Sequence, residues 1–209
     1  MYLHPRMRVT GAADQRAGGR RLRAAPLVAV LLLLGVLVGI TPAGAAAATG
    51  TGTVVGWGLN DNGRASPPAG LTGVIAIAAG WDHSLALKSD GTVVGWGHNT
   101  HRQASPPARA TAVTAIGAGE SHSLAVKRNG TMVAWGWSKF GQTRPPAGLD
   151  GVTAVAGGHR HSLALKRDGT VVGWGSNYEG QASPPAGLTG VTAIAAGPYH
   201  SLALQGGTG

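Results

Sequence analysis

The chain has 209 residues, no cysteine, 36 glycines and 12 prolines, and a formal net charge of +9 at neutral pH. The lack of cysteine excludes disulfide bridges and thiolate metal sites. Six arginines lie in the first 23 residues, so the charge of the remainder is a weak argument for nucleic-acid binding. The glycines and prolines recur in register, which argues against a disordered chain.

The N-terminal segment predicts export. Its arginine-rich start is followed by the run AAPLVAVLLLLGVLVGI, residues 24–40, and then by small residues around Ala45. This order is typical of a secretory signal with cleavage near Ala45. The alternative is an uncleaved membrane anchor, because a run of 17 residues lies at the short limit for a membrane span. We therefore divide the chain into a signal segment, residues 1–45, which is its only expected membrane contact, and a repeat region, residues 46–209.

Two motifs recur at a constant interval of 39 residues. The first reads HSLALK or a close variant and begins at His83, His122, His161 and His200. The second reads GWG or AWG, and its tryptophans are Trp57, Trp96, Trp135 and Trp174. A fixed period of this length indicates a repeat architecture.

Each repeat predicts three strands followed by a loop. In the repeat that begins at Gly151, the strands are residues 152–156, 161–166 and 170–174. An Asp-Gly pair between the last two strands supplies the positive φ of a tight hairpin turn. Paired prolines later in the repeat remove backbone donors, so residues 181–185 are predicted to form a short outer edge strand.

Short strands at this period, with one Trp-Gly pair per repeat, are typical of β-propeller blades. The alternative is a β-solenoid, whose coils need fewer residues and fewer hairpins. When the blades are divided in phase with the hairpins, the repeat region begins with a third strand at residues 53–57. It ends with a first strand at residues 191–196 and a second strand at residues 200–204. We therefore predict an all-β propeller fold of about four blades, three of them complete.

The string GxxHSLALKxDGTVVGWGxNxxGQ resembles the repeat of the regulator of chromosome condensation family, from Gly52 to about Leu204. The resemblance implies blades of the kind that build seven-bladed propellers. Four such blades would not close a ring, so we expect an open array with apolar end faces that can self-associate. The alternatives are that the two ends pair into a closed fourth blade, or that further blades are encoded elsewhere.

The recurring residues are expected to build the scaffold. Equivalent positions in successive blades lie roughly 10 Å or more apart, so the repeat histidines would not converge on one metal ion. A serine follows each histidine, as a nucleophile beside a base would, but adjacent strand residues point to opposite faces. We predict hydrogen bonds to a neighbouring loop for the histidines, and packing between blades for the tryptophans.

Binding residues are expected where the repeats differ, because shared positions build the scaffold and variable positions give the surface its specificity. One variable set precedes each HSLAL motif and the other follows each Trp-Gly pair, and both fall in loops. Aromatic and arginine side chains in such loops suit a protein interface. The candidate partner-binding residues are Trp81, Asp82, Trp137, Phe140, Arg160, Tyr178 and Tyr199.

Within the family, the secreted β-lactamase inhibitor branch is similar in repeat length, in motif order and in its proline-containing loop. Aromatic residues in these loops clamp the target enzyme in that branch, and one stands directly before the histidine, where this chain has Asp82, Ser121 and Arg160. The resemblance implies an exported protein-binding module that inhibits an extracellular enzyme such as a β-lactamase. The alternatives are guanine-nucleotide exchange with chromatin binding, as in the family's namesake, and a structural role in a cell-surface protein.

The sequence contains no phosphate-binding loop, paired carboxylate site or metal-ligand cluster. We therefore expect no enzymatic activity, no cofactor and no metal, and a protein rather than a nucleic acid as the partner.

Overall fold

The computed structural model describes residues 51–207, so the predicted signal segment and its cleavage site lie outside the described residues. Within that range no helix is long and apolar enough to span a membrane. The strands are β1 Val74–Ala79, β2 His83–Lys88, β3 Val93–Gly97, β4 Val113–Ala118, β5 His122–Lys127, β6 Met132–Gly136, β7 Val152–Gly157, β8 His161–Lys166, β9 Val171–Gly175, β10 Val191–Ala196 and β11 Ser201–Gln205.

The strands form four antiparallel sheets in chain order, which we call blades 1 to 4. Blades 1 to 3 each contain three strands with the second in the middle, whereas blade 4 contains only β10 and β11. The first two strands of every blade share a register irregularity at the same place, for example between Val152 and Ala154. The predicted three-stranded repeat and the all-β class are confirmed.

Asp-Gly and Asn-Gly pairs form the second hairpin of each complete blade. The turn glycines Gly91, Gly130 and Gly169 have φ angles of 82°, 80° and 79°, a region that glycine adopts without steric cost. In blade 1 the Thr92 amide donates to Asp90 Oδ1 at 2.9 Å, and this hydrogen bond lowers the pKa of Asp90 to about 2. The turn chemistry read from the sequence therefore sets the register of β2 and β3.

The predicted outer edge strand is wrong, because residues 181–182 lie in a turn and residues 183–185 form no regular structure. Asn177 organises this loop: its Oδ1 accepts a hydrogen bond from the Ala182 amide at 2.8 Å, and its Nδ2 donates to Ser183 Oγ at 2.7 Å. The Ala182 carbonyl lies so close to Gly173 that a Cβ would not fit there. The loop packs against the third strand without forming a ladder, so the prolines mark turns instead of an edge.

Each blade packs on the next through a small apolar core. At the first interface, Leu85 and Leu87 of β2 lie in one cluster with Val113, Ile116 and Trp135 of blade 2. Equivalent residues form the second and third interfaces. The leucines of each second strand therefore point towards the following blade, and the tryptophan of each third strand points towards the preceding one.

No blade covers either end of the described array. Residues 53–57 form no ladder, and the only pairing nearby is a single bridge from Gly52 to β1, so the predicted strand there is wrong. Trp57 is consequently 85% exposed. At the other end, Leu202 and Leu204 of β11 are also exposed. The expected open array with apolar end faces is confirmed.

Candidate protein-binding site

The repeat histidines link successive blades. His83 Nε2 lies 2.8 Å from Ser123 Oγ of blade 2. The same contact recurs at 2.9 Å between His122 and Ser162 and between His161 and Ser201. The partner of each of these three histidines is thus a serine of the next second strand, rather than the neighbouring loop that we predicted. The neighbouring loop instead supplies a carbonyl oxygen that accepts a hydrogen bond from that serine.

That serine also donates its proton to the loop. Ser123 Oγ donates to the Gln103 carbonyl oxygen at 2.8 Å, and Trp135 Nε1 donates to the same oxygen at 2.9 Å. The serine oxygen therefore accepts from His83 Nε2. The carbonyl oxygens of Arg64 and Gln142 likewise each accept from one serine and one tryptophan. Because the serine proton points away from the histidine, the pair is not arranged as a base and a nucleophile.

Burial keeps these histidines neutral. Desolvation lowers the pKa of His122 to about 3, and the pKa of His83 and His161 to about 4. The ring of His122 packs directly on Gly119, where a Cβ would clash with it. A neutral ring with its proton on Nε2 fits the donation to serine, so the recurring residues form the scaffold beneath the variable surface.

Both variable sets lie at the same end of the blades. In blades 1 to 3, the residue after the Trp-Gly pair donates its backbone amide to the carbonyl oxygen of the residue before the repeat histidine. His98 donates to the carbonyl oxygen of Asp82 at 2.7 Å. The equivalent bonds, both 2.8 Å, join Trp137 to Ser121 and Ser176 to Arg160. Because these bonds hold the two loops side by side, their side chains form one surface.

The first part of this surface joins blades 1, 3 and 4. The His159 ring lies between two exposed rings, with its centroid 5.5 Å from that of Trp81 and 5.2 Å from that of Tyr199. His159 Nε2 is 2.8 Å from Oε2 of Glu120 in blade 2. The His159 side chain is itself buried, so it supports the two exposed rings.

The second part is an aromatic cluster beside Arg160. The Arg160 guanidinium carbon lies 4.9 Å from the ring centroid of Phe140 and 5.7 Å from that of Trp137, within cation–π range. The two rings meet edge-on at 5.5 Å, and Phe140 meets the exposed Tyr178 edge-on at 6.4 Å. The His101 ring lies 6.0 Å from Trp137.

Since Arg160 directly follows His159, the two parts adjoin, and we call them together the aromatic face. It consists of Trp81, His101, Trp137, Phe140, His159, Arg160, Tyr178 and Tyr199. Between Trp81 and His159 lies a depression whose lining includes backbone glycines such as Gly119 and Gly158. Glycine is required at these two positions because the rings of His122 and His161 occupy the space of a Cβ.

Six of the seven candidates from the sequence lie on the aromatic face, and Asp82 is held differently. Asp82 Oδ1 forms an ion pair with Arg64 Nη1 at 2.7 Å, and Arg64 Nη1 also donates to the Trp81 carbonyl oxygen at 3.3 Å. The candidate set missed His159, which spacing alone could not place between rings from two other blades. Among residues 51–207, no group of three or more His, Cys, Asp or Glu side chains is arranged to hold a metal ion.

Comparison with known proteins agrees with this architecture. Residues 74–103, 113–142 and 152–181 match the sequence profile of the Regulator of chromosome condensation (RCC1) repeat. No curated protein sequence matches the chain.

The chain is similar in structure to Prp20p of Saccharomyces cerevisiae, with a TM-score of 0.58 and 18% identity over 73% of this chain and 52% of Prp20p. It is also similar to the CRINKLY WD40 ectodomain of the Arabidopsis thaliana receptor kinase ACR4, with a TM-score of 0.56 and 25% identity over 65% of this chain and 48% of that one. The chain thus spans about half the length of the solved structures that it matches. Residues 74–181 thus contain three matches to the regulator of chromosome condensation (RCC1) repeat, and the chain shares its fold with these solved structures.

Proposed function

We propose that the chain is an exported protein-binding module that binds its partner through the aromatic face. One observation carries the proposal: the aromatic and arginine side chains that differ between repeats converge at one end of the blades, while the recurring side chains are buried between them. Aromatic and arginine residues are enriched among the hot spots of protein interfaces. A rigid scaffold that presents such loops is a common design for binding proteins.

The chemistry of the face favours a partner loop that combines an apolar side chain with an oxygen acceptor. Trp81, Tyr178 and Tyr199 are exposed, and they offer large rings with polar tips at low cost in side-chain entropy. The Arg160 guanidinium is held in place by the rings of Phe140 and Trp137. The Arg160 side chain is half-buried, and a guanidinium group suits a carboxylate or carbonyl oxygen of the partner.

Two further observations support a protein outside the cytoplasm as the partner. The N-terminal segment has the pattern of an export signal, which would place the module outside the cytoplasm. Yeast Prp20, which shares the fold, has been studied for its binding to Gsp1p and histones and has been crystallised with Kap60. We propose an extracellular or periplasmic enzyme as the partner here, with β-lactamase as the first to test, and no enzymatic activity of the chain itself.

The test compares two pairs of variants of the full-length chain. Trp81→Ala and Arg160→Ala remove one side chain from each part of the aromatic face. The matched controls, Lys166→Ala and Asp168→Ala, alter an exposed ion pair of 3.4 Å at the opposite end of blade 3. Binding is measured by chemical cross-linking in the extracytoplasmic fraction of the producing cells, and by titration against purified β-lactamases.

We expect each aromatic-face variant to weaken binding by roughly 30-fold or more, which corresponds to a hot spot of about 2 kcal/mol. The control variants should bind like the unaltered chain. Equal binding by all four variants would contradict the proposal. Loss of cross-linking to a partner other than β-lactamase would retain the face and change only the identity of the partner.

A further inference from the structure

The two ends of the described array carry complementary parts of one blade. Blade 4 has a first and a second strand but no third strand within residues 51–207. Residues 53–58 read TVVGWG, identical to residues 92–97, which contain β3, and to residues 170–175, which contain β9. Each end therefore lacks the element that the other end presents.

The segment at residues 53–58 already has the shape of a third strand. Gly58 has a φ angle of 95°, compared with 94° at Gly97 and 98° at Gly175. Gly56 packs on the carbonyl of Ala65 so closely that a Cβ would clash, as at the third-strand glycines of blades 1 and 3. Little conformational entropy would be lost when this segment joins a sheet.

The edge of blade 4 has the matching acceptor. In complete blades, one loop carbonyl oxygen accepts from both a serine and a third-strand tryptophan, as Gln142 does from Ser162 at 2.9 Å and from Trp174 at 2.8 Å. The equivalent oxygen, that of Gln181, accepts from Ser201 at 2.7 Å, and no described tryptophan donates to it. A groove beside β11, lined in part by Gln181 and Leu202, lies where a third strand would pack.

The apolar surfaces at the two ends also match. Ile116 and Ile194 are each 2% exposed because the leucines of the preceding blade cover them, whereas their equivalent Ile77 is 41% exposed. Leu202 and Leu204 are the equivalents of those covering leucines. A groove lined by residues of the 53–59 segment on one side and by Ile77 on the other lies where a second strand sits in a complete blade.

We propose that β11 of one copy of this chain inserts between residues 53–58 and blade 1 of a second copy, which completes blade 4 and joins the copies head to tail. The register of β8 and β9, carried over, places Ser201 opposite Trp57 and Leu204 opposite Val54. Trp57 of the second copy donates to the Gln181 carbonyl oxygen of the first. His200 of the first copy bonds to Ser84 of the second, as His161 bonds to Ser201.

A second copy suits this site better than closure within one chain. The ends of a single chain do not pair in the structure, and in the described range each blade packs on its neighbours along the chain. The chain spans 52% of Prp20p, so two copies supply about the length of one propeller of this fold. A head-to-tail contact of this kind forms a ring when its rotation closes.

A disulfide tests the proposed register directly, because the chain has no cysteine of its own. The Lys166 amide donates to the Thr170 carbonyl oxygen, so the next pair in the ladder, Leu165 and Val171, is of the non-hydrogen-bonded type with close Cβ atoms. The equivalent pair in the completed blade is Leu204 and Val54. We would mix full-length Leu204→Cys with a tagged full-length Val54→Cys and oxidise them.

We expect a mixed disulfide dimer, and none when Leu204→Cys is mixed with Asp168→Cys, which lies on an exposed turn. Failure of the matched pair to cross-link would overturn the proposal. The doubly substituted chain provides a second discriminating result. If it oxidised entirely to a monomer with an internal disulfide, the blade would close within one chain and the proposal would be wrong.

Sedimentation of the cysteine-free chain supplies an independent measurement. The unaltered chain should associate as its concentration rises, whereas Leu204→Asp should remain a folded monomer, because Leu204 is exposed within a single chain. Tyr178→Ala, on the aromatic face, should associate like the unaltered chain. A result in which the unaltered chain stays monomeric, or Leu204→Asp still associates, would overturn the proposal without bearing on the aromatic face.

Discussion

The second strands of blades 3 and 4 have almost the same sequence and opposite environments. Leu163 and Leu165 of β8 are 2% and 5% exposed, whereas their equivalents in β11, Leu202 and Leu204, are 61% and 60% exposed. The local sequence is HSLALK in one case and HSLALQ in the other. The burial of a strand is therefore determined by the blade that follows it, as expected for a repeat array in which each unit contacts only its neighbours.

The hydrogen bonds differ in the same way as the apolar contacts. His161 is buried and bonds to Ser201 of the next blade. His200 is exposed, and no blade within the described residues follows it. Each change to an interior blade should therefore lower the free energy of unfolding more than the same change in blade 4. Matched pairs of variants test this contrast directly.

Acidification should lower the free energy of unfolding by the largest amount. The pKa is lowered to about 4 for His83 and His161 and to about 3 for His122, while the unfolded chain binds protons near pH 6.5. Between these values the unfolded state binds more protons than the folded state, so the free energy of unfolding falls as the pH decreases from about 6.5 to about 4. The slope is roughly 1.4 kcal/mol per pH unit for each buried histidine.

Urea unfolding of the monomer at a series of pH values measures this slope. His122→Gln should make this slope shallower than that of the unaltered chain. The carboxylates of Asp90 and Asp168 also have a lowered pKa, because backbone amides donate to them. Their contribution is lost only below about pH 4, outside this range. An identical slope for His122→Gln and the unaltered chain would refute the assignment.

Truncation of an interior leucine should have the next largest effect. Leu163→Ala removes contacts in the core between blades 3 and 4 and should lower the free energy of unfolding by about 2–5 kcal/mol. The matched Leu202→Ala change should alter it by less than about 0.5 kcal/mol in the dilute monomer. Chemical denaturation of the two variants at low protein concentration is the measurement. Equal losses would mean that β11 is covered within one chain.

Adding a methyl group to a repeat glycine should have the smallest effect. A Cβ at Gly119 would meet both the His122 ring and the Gly158 carbonyl, whereas at Gly197 it would meet the ring of the exposed His200. Gly119→Ala should therefore cost roughly 1–3 kcal/mol. Gly197→Ala should cost less, because the His200 ring is free to move away. Thermal unfolding would reveal the difference, and a larger shift for Gly197→Ala would contradict it.

The predictions from sequence succeeded where local chemistry decides the structure. Alternating side chains and a turn glycine such as Gly169 place β8 and β9 within one residue of their predicted bounds. The lack of pairing at residues 53–58 was not predictable from the sequence, because the same six letters contain a paired strand in blades 1 and 3. Only the presence or absence of a neighbouring strand distinguishes these segments.

The candidate site was also predictable only in part, because the sequence indicates which loop positions differ but not which side chains meet between blades. Differences between repeats indicated Trp81 and Tyr199 as surface residues, and the structure places them there. Their connection through His159 was missed, since it depends on distances between blades that no residue spacing encodes.

Hydrogen exchange at β8 and β11, followed as the protein concentration rises, tests the dependence of each strand on its neighbour most directly. We predict that the β8 amides are protected at every concentration, and that the outward-facing amides of β11 become protected only as the chain associates. Protection of β11 equal to that of β8 in the dilute monomer would contradict the account.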